Sequence, residues 1–110
     1  MLLKLFPWAL MAAAAALEVA GDATIRTGLR THRVLLVAIG LGALGLYGIL
    51  VNLVTWDFSR LMGSYIAVFA LVSVLTASWV FKENIPALTW AGLGLILCGG
   101  LAIQVAAIGR

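Results

Sequence analysis

Residues 34–56 read VLLVAIGLGALGLYGILVNLVTW, a run of 23 positions without a single charge. A helix needs about 20 consecutive apolar residues to cross the hydrocarbon of a bilayer. This stretch meets that length, and two more follow it. Residues 61–81 give 21 uncharged positions, and residues 87–108 give 22, interrupted in polarity only by Gln104. A fourth, weaker segment precedes them, from Leu5 to about Thr24, and it contains Glu18 and Asp22. Lys4, the apolar stretch after it and Ala13-Ala14-Ala15 also fit the pattern of a secretory signal peptide. The segment is read here as the first of four helices.

Composition agrees with that reading. Of 110 residues, 65% are hydrophobic and 10% charged, with a mean hydropathy of +1.18. Soluble domains run near half apolar, so the expected class is an all-α integral membrane protein with four transmembrane helices. One membrane domain over 1–110 is expected, with helices at roughly 5–25, 34–56, 61–81 and 87–108. The intervening segments, 26–33, 57–60 and 82–86, are short and make successive helices antiparallel neighbours in a bundle. Pro86 suits the first turn of the last helix, where a missing N–H has no consequence.

The net charge of +3 comes from few, scattered basic residues and does not point to nucleic acid. Lys and Arg distribution sets orientation. Lys4, Arg60 and Arg110 fall on one side and Arg26, Arg30, Arg33 and Lys82 on the other, a balance that suits insertion both ways round. Membrane lipid is an expected partner, and the arginines at 26, 30 and 33 are candidates for holding anionic headgroups. The single Cys98 lies in an apolar, glycine-rich setting and reads as a packing residue. No Ser/His/Asp set and no metal-ligand spacing occur, the one histidine being His32 in a basic loop; no enzyme activity, cofactor or metal is expected.

The residue richest in chemistry is Glu18, a carboxylate inside the first apolar segment. An ionised carboxylate at the bilayer centre costs about 2.5–3.5 kcal/mol even on lenient insertion scales, which makes it a functional-site hypothesis by default. The competing reading puts it near the end of the first helix, reaching headgroups. Glu18, Asp22, Arg26 and Arg30 are spaced by four and share one slowly turning face. Asp22 and Arg26 have the spacing of an i,i+4 ion pair, which leaves Glu18 as the deeper carboxylate. Burial favours the neutral form of a carboxyl, and a group poised between both forms can exchange a proton for a cation. Among the other polar groups at membrane depth, Asn52 and Tyr65 are the site candidates, since hydroxyls on helices usually bond their own backbone. The four tryptophans, near segment ends, read as interface anchors.

Small residues let helices approach closely in lipid. The second segment offers Ala38, Gly42, Gly45 and Gly48, with Gly40 on the opposite face. The third offers Ala67, Ala70, Ser73 and Ala77. The fourth offers Gly92 and Gly99, joined by Ile96 and Ile103, which serve either packing within one bundle or contact with a second subunit.

The Ala16-Leu17-Glu18-Val19-Ala20-Gly21 segment, with the length and the four spans, resembles the small multidrug resistance (SMR) proteins of the drug/metabolite transporter superfamily. Ser59-Arg60-Leu61 through Tyr65, Thr89-Trp90-Ala91-Gly92 and Leu97-Cys98-Gly99-Gly100 look closer to the YnfA-type four-helix branch. The resemblance implies an antiparallel, dual-topology homodimer exchanging protons for a small cationic or amphipathic substrate. It implies that Glu18 matches the family's proton- and substrate-binding carboxylate and Tyr65 the tyrosine of the third helix. It further implies that the glycines of the fourth helix match the dimer contact. The third segment departs from the family pattern, reading Tyr65-Ile66-Ala67-Val68-Phe69-Ala70, and Asp22 and Arg26 add charge beyond the glutamate. These departures leave room for polyamines, guanidinium compounds or lipid-linked sugars as substrates. A different class stays open beside it: a non-transporting subunit that stabilises a larger membrane complex.

Overall fold

The computed structural model describes residues 2–108, with side chains from Lys4 onward. Arg110, counted above for orientation, lies outside them. The fold is all-α: α1 spans Leu2–Arg30, α2 Val34–Val51, α3 Phe58–Trp79 and α4 Ala87–Ile108. All four are long and apolar enough to cross a membrane, which suggests a multi-pass membrane protein. The chain divides into two compact units, Met1–Val54 and Thr55–Arg110. α1 packs on α2 in the first, and α3 on α4 in the second.

The helix ends differ from the sequence expectation in ways the local chemistry explains. α1 runs on to Arg30 and takes Arg26 and Arg30 out of the expected loop. Thr24, Thr27 and Thr31 fold their hydroxyls back onto the carbonyls of Ala20, Ala23 and Thr27, so none of them competes for the helical N–H ladder. The stop comes at His32, whose φ of 57° is left-handed, while the Arg33 N–H returns to the Gly28 carbonyl at 2.8 Å. That closing bond is the six-to-one link of a Schellman turn. α2 ends five residues sooner than its apolar run. The Asn52 amide donates to the Gly48 carbonyl at 2.7 Å, and the Leu53 and Val54 N–H groups reach back only three residues, tightening the chain into a terminal 3₁₀ turn. α3 begins three residues earlier than expected, at Phe58. A second left-handed residue, Lys82 at φ 54°, turns the chain beyond its end. α4 spans the expected residues.

In the first unit the seam of α1 is a heptad-like stripe: Met11, Ala14, Glu18, Gly21, Ile25 and Gly28 recur at alternating steps of three and four, the spacing that keeps one face against a neighbouring helix. Met11 and Ala14 are fully buried. Gly21 and Gly40 let the two backbones meet. A Cβ on Gly21 would lie 3.1 Å from the Gly40 carbonyl oxygen, and one on Gly40 would lie 2.8 Å from the Gly21 carbonyl oxygen while striking the Ile25 side chain. Gly28 is equally confined, a Cβ there standing 2.9 Å from the Val37 nitrogen. The contact of α2 therefore runs through Gly40, the glycine the sequence reading set on the opposite face from the stripe. Gly42, Gly45 and Gly48 look onto open space.

In the second unit, Gly63 receives the Ile103 side chain and Gly100 faces the Cβ of Ala67. Leu61, Ser64, Tyr65, Ala67 and Leu93 are the buried side chains here.

Two alanine substitutions separate closed from open glycines. Gly40→Ala forces a methyl against backbone and should destabilise the first unit by about 1–3 kcal/mol, the usual range for overpacking. Gly45→Ala meets nothing and should be neutral or stabilising by up to about 1 kcal/mol through helix propensity. Unfolding titrations in mixed micelles, following helicity, read both; equal effects would contradict the packing described.

Candidate functional site

Glu18 stands on the packed seam of α1, half-buried, one step of three before Gly21. It lies twelve residues short of the helix end at Arg30, or roughly 18 Å at the helical rise. The alternative that placed it near the end of the first helix rested on a helix stopping at residue 25. The extension to Arg30 places Glu18 well inside α1 rather than close to its C-terminal end.

Across the seam stands Tyr47 of α2. Both the Glu18 and the Asp22 carboxylates lie within electrostatic reach of its phenol. The antiparallel register accounts for this meeting. Gly28 abuts Val37, and Gly21 abuts Gly40, Ala43 and Leu44; one more turn along each helix brings Glu18 level with Tyr47. Sequence reasoning missed Tyr47. Tyr47 is the only side chain with a polar group in the 18 residues of α2 and lies one heptad past Gly40, but only the register of α1 against α2 brings it to Glu18.

The other charges of that α1 face do not share the setting. A step of four overshoots a full helical turn by about 40°, so Asp22, Arg26 and Arg30 swing progressively off the seam, and all three are exposed. Asp22 and Arg26 keep their i,i+4 spacing on an open face. Asn52 is exposed too, with its amide committed to the Gly48 carbonyl. Tyr65 belongs to the second unit, where it is buried at 5% exposure and stacks on Phe69 with ring centroids 6.2 Å apart. The four residues expected on the packing face of α4 divide between two environments. Gly92 and Gly99 face open space and Ile103 fills the notch at Gly63, while Ile96 is 42% exposed.

The second unit holds a polar seam that sequence reasoning did not single out. Gln104 accepts from Arg60 Nε at 3.3 Å and Nη2 at 3.0 Å through its Oε1. Its own amide donates to the Ser64 hydroxyl, a group only 1% exposed. The Arg60 guanidinium lies 3.8 Å above the Trp56 ring, at the distance of a cation–π contact. The clue was the coincidence of two facts: Arg60 and Ser64 share a helix face by their spacing of four, and Gln104 is the one amide in the apolar run of α4. Ser73, by contrast, has a buried hydroxyl with no hydrogen-bond partner among the described residues.

Gln104→Leu should therefore destabilise the second unit by about 1–3 kcal/mol, since it strands the buried Ser64 hydroxyl and one edge of Arg60. Adding Ser64→Ala to that variant should recover part of the loss, because both halves of the bond are then apolar. Thermal unfolding of the single and double variants checks this, and an additive double loss would refute the link. Comparison with protein-family models, with curated proteins and with solved structures finds no match to this chain.

Proposed function

We propose that this chain is a small proton-coupled membrane transporter, an exporter of small cationic or amphipathic compounds, working in a bacterial inner membrane as an antiparallel homodimer. One observation carries the reading: a half-buried carboxyl, Glu18, sits mid-helix on a packed seam beside a tyrosine. A carboxyl in such a place has two useful states. Protonated, it is neutral and compatible with an apolar seam; ionised, it attracts a cation to offset the desolvation of its charge. Proton and cationic substrate then compete for one group, which is the thermodynamic requirement for obligatory exchange. Tyr47, within electrostatic reach of the same carboxylate, places a phenol on the facing helix.

The dimer gains support from the glycines that face open space. Gly42, Gly45 and Gly48 on α2 and Gly92 and Gly99 on α4 leave helix surfaces that another helix backbone could approach closely. The same surfaces favour the second reading, an accessory subunit whose open faces dock on other membrane polypeptides. Native mass spectrometry of protein released gently from its own membrane separates them: a homodimer supports the transporter, and fixed association with other chains supports the subunit.

The transport mechanism is tested in proteoliposomes carrying a pH gradient, with ethidium and a polyamine such as spermidine as trial cargo. The wild type should accelerate cargo movement when the gradient is imposed. Glu18→Gln, which keeps shape and loses titration, should fall to the rate of protein-free vesicles. Gradient-driven transport that survives this substitution unchanged would sink the mechanism.

A further inference from the structure

We propose that the turn joining α1 to α2 is a docking surface for anionic phospholipid headgroups, held by Arg26, Arg30 and Arg33. Residues 31–33 are the whole link between two helices long enough to cross a bilayer. A chain that crosses twice through them has this turn at a membrane surface. Charge is concentrated there and is not balanced. The three arginines fall within residues 26–33, and all are exposed. Between Val19 and Val51 a single carboxylate, that of Asp22, is set against them, one helical turn further from the chain reversal than Arg26.

The backbone that carries these cations is fixed by other groups. Gly28 abuts Val37 and the Arg33 carbonyl, and the Arg33 N–H closes onto the Gly28 carbonyl at 2.8 Å. The Thr31 hydroxyl and N–H both donate to the Thr27 carbonyl. Backbone groups and a threonine thus make the turn, and its closure uses none of the three guanidinium groups. A surface whose backbone is already ordered loses less freedom when it binds. The planar, forked donors of arginine also match the oxygens of a phosphate.

The side chains between the arginines favour a lipid as the source of that phosphate. Leu29 lies three residues after Arg26 and next to Arg30, within the same patch of α1. Leu29, Val34 and Leu35 are 64–83% exposed, so packing within the unit does not occupy them. Cations interleaved with bare aliphatic side chains suit the boundary where phosphates and acyl chains meet, and suit a soluble anion or an acidic peptide less well. Arg26 stands about 6 Å further along the α1 axis from the turn than Arg30. That distance is within reach of a side chain that lays its apolar stem along the helix and lifts its head to the phosphates. This surface is independent of the transport reading, since it uses neither Glu18 nor Tyr47.

The test titrates the full chain, stripped of lipid in detergent micelles, with dioleoyl phosphatidylglycerol and dioleoyl phosphatidylcholine, counting bound lipid by native mass spectrometry. Phosphatidylglycerol should bind about tenfold or more tightly than phosphatidylcholine, since each arginine near an anionic surface contributes roughly fivefold. Arg30→Gln should lower that preference roughly fivefold, and the triple variant Arg26→Gln, Arg30→Gln, Arg33→Gln should abolish it. Lys82→Gln removes an exposed cation from the second unit and should leave the preference unchanged. Raising salt from about 0.1 to about 1 M shortens the screening length from about 10 to about 3 Å and should weaken the preference of the wild type. That measurement keeps the proposal exposed even if the triple variant does not fold. Equal binding of the two lipids, a preference indifferent to salt, or an equal loss from Lys82→Gln would each overturn the proposal. Displacement of the lipid by equimolar glycerophosphoglycerol would overturn the lipid as occupant and assign the surface to a soluble phosphate. Displacement by polyglutamate would likewise overturn it, in favour of an acidic protein segment.

Discussion

Two backbones meet at Gly21 and Gly40, and the geometry of the first unit follows from that approach. In lipid, helices gain little by hiding apolar side chains from one another, because the acyl chains are as apolar as the side chains. What holds a pair is proximity, and proximity requires the absence of a Cβ. With each glycine close to the carbonyl oxygen of the other, the axial register of α1 against α2 is pinned at that point. Everything else on the seam is then placed by counting turns. Gly28 reaches Val37 in one direction, and Glu18 reaches Tyr47 in the other. A carboxyl on such a seam is held in register by a contact that resists sliding.

The second unit pairs its helices by a different means. α3 and α4 also use glycines, at Gly63 and Gly100, but they add the hydrogen-bonded series from Arg60 through Gln104 to Ser64. Polar links between helices are directional and tolerate little rotation, so this pair is fixed about its axis as well as along it. Their cost is that each member relies on the next. Gln104 satisfies a buried hydroxyl with its amide and a guanidinium with its oxygen, and neither task can be done by an apolar residue of the same size.

The four helices were legible in the sequence because membrane-length apolar runs are long, uninterrupted signals, and α4 begins and ends where its run does. The ends of α1, α2 and α3 were not, for reasons local to each. Hydropathy counted Arg26 and Arg30 as loop because they are charged, while the backbone there is held in helix by threonines bonded to their own turn and stops only at the left-handed His32. It carried α2 on to Trp56 because Leu53 and Val54 are apolar, though Asn52 had already turned its amide onto Gly48. Glu18 was readable from its chemistry alone. Tyr47 was not, because its importance depends on the register between α1 and α2. That register is set by Gly40, which a search for repeating small residues passes over in favour of Gly42, Gly45 and Gly48. The polar seam of the second unit was hidden for a similar reason: its members are 40 and 44 residues apart, and only the pairing of α3 with α4 brings them together.

The unequal lengths within the first unit have a consequence for the bilayer itself. α2 has 18 residues, about 27 Å at the helical rise, whereas α1 has 29, about 44 Å. Hydrocarbon averages about 30 Å in thickness and is thinner in some membranes than in others. A bilayer thicker than α2 would have to thin around it, while the same bilayer would be readily crossed by a tilted α1. Because the glycine contact prevents the two helices from slipping past each other, this mismatch cannot be relieved by sliding. In a bilayer crossed by both helices, membrane thickness would act as a mechanical load on the seam that contains Glu18, and a lipid of different chain length would change the setting of that carboxyl without touching it.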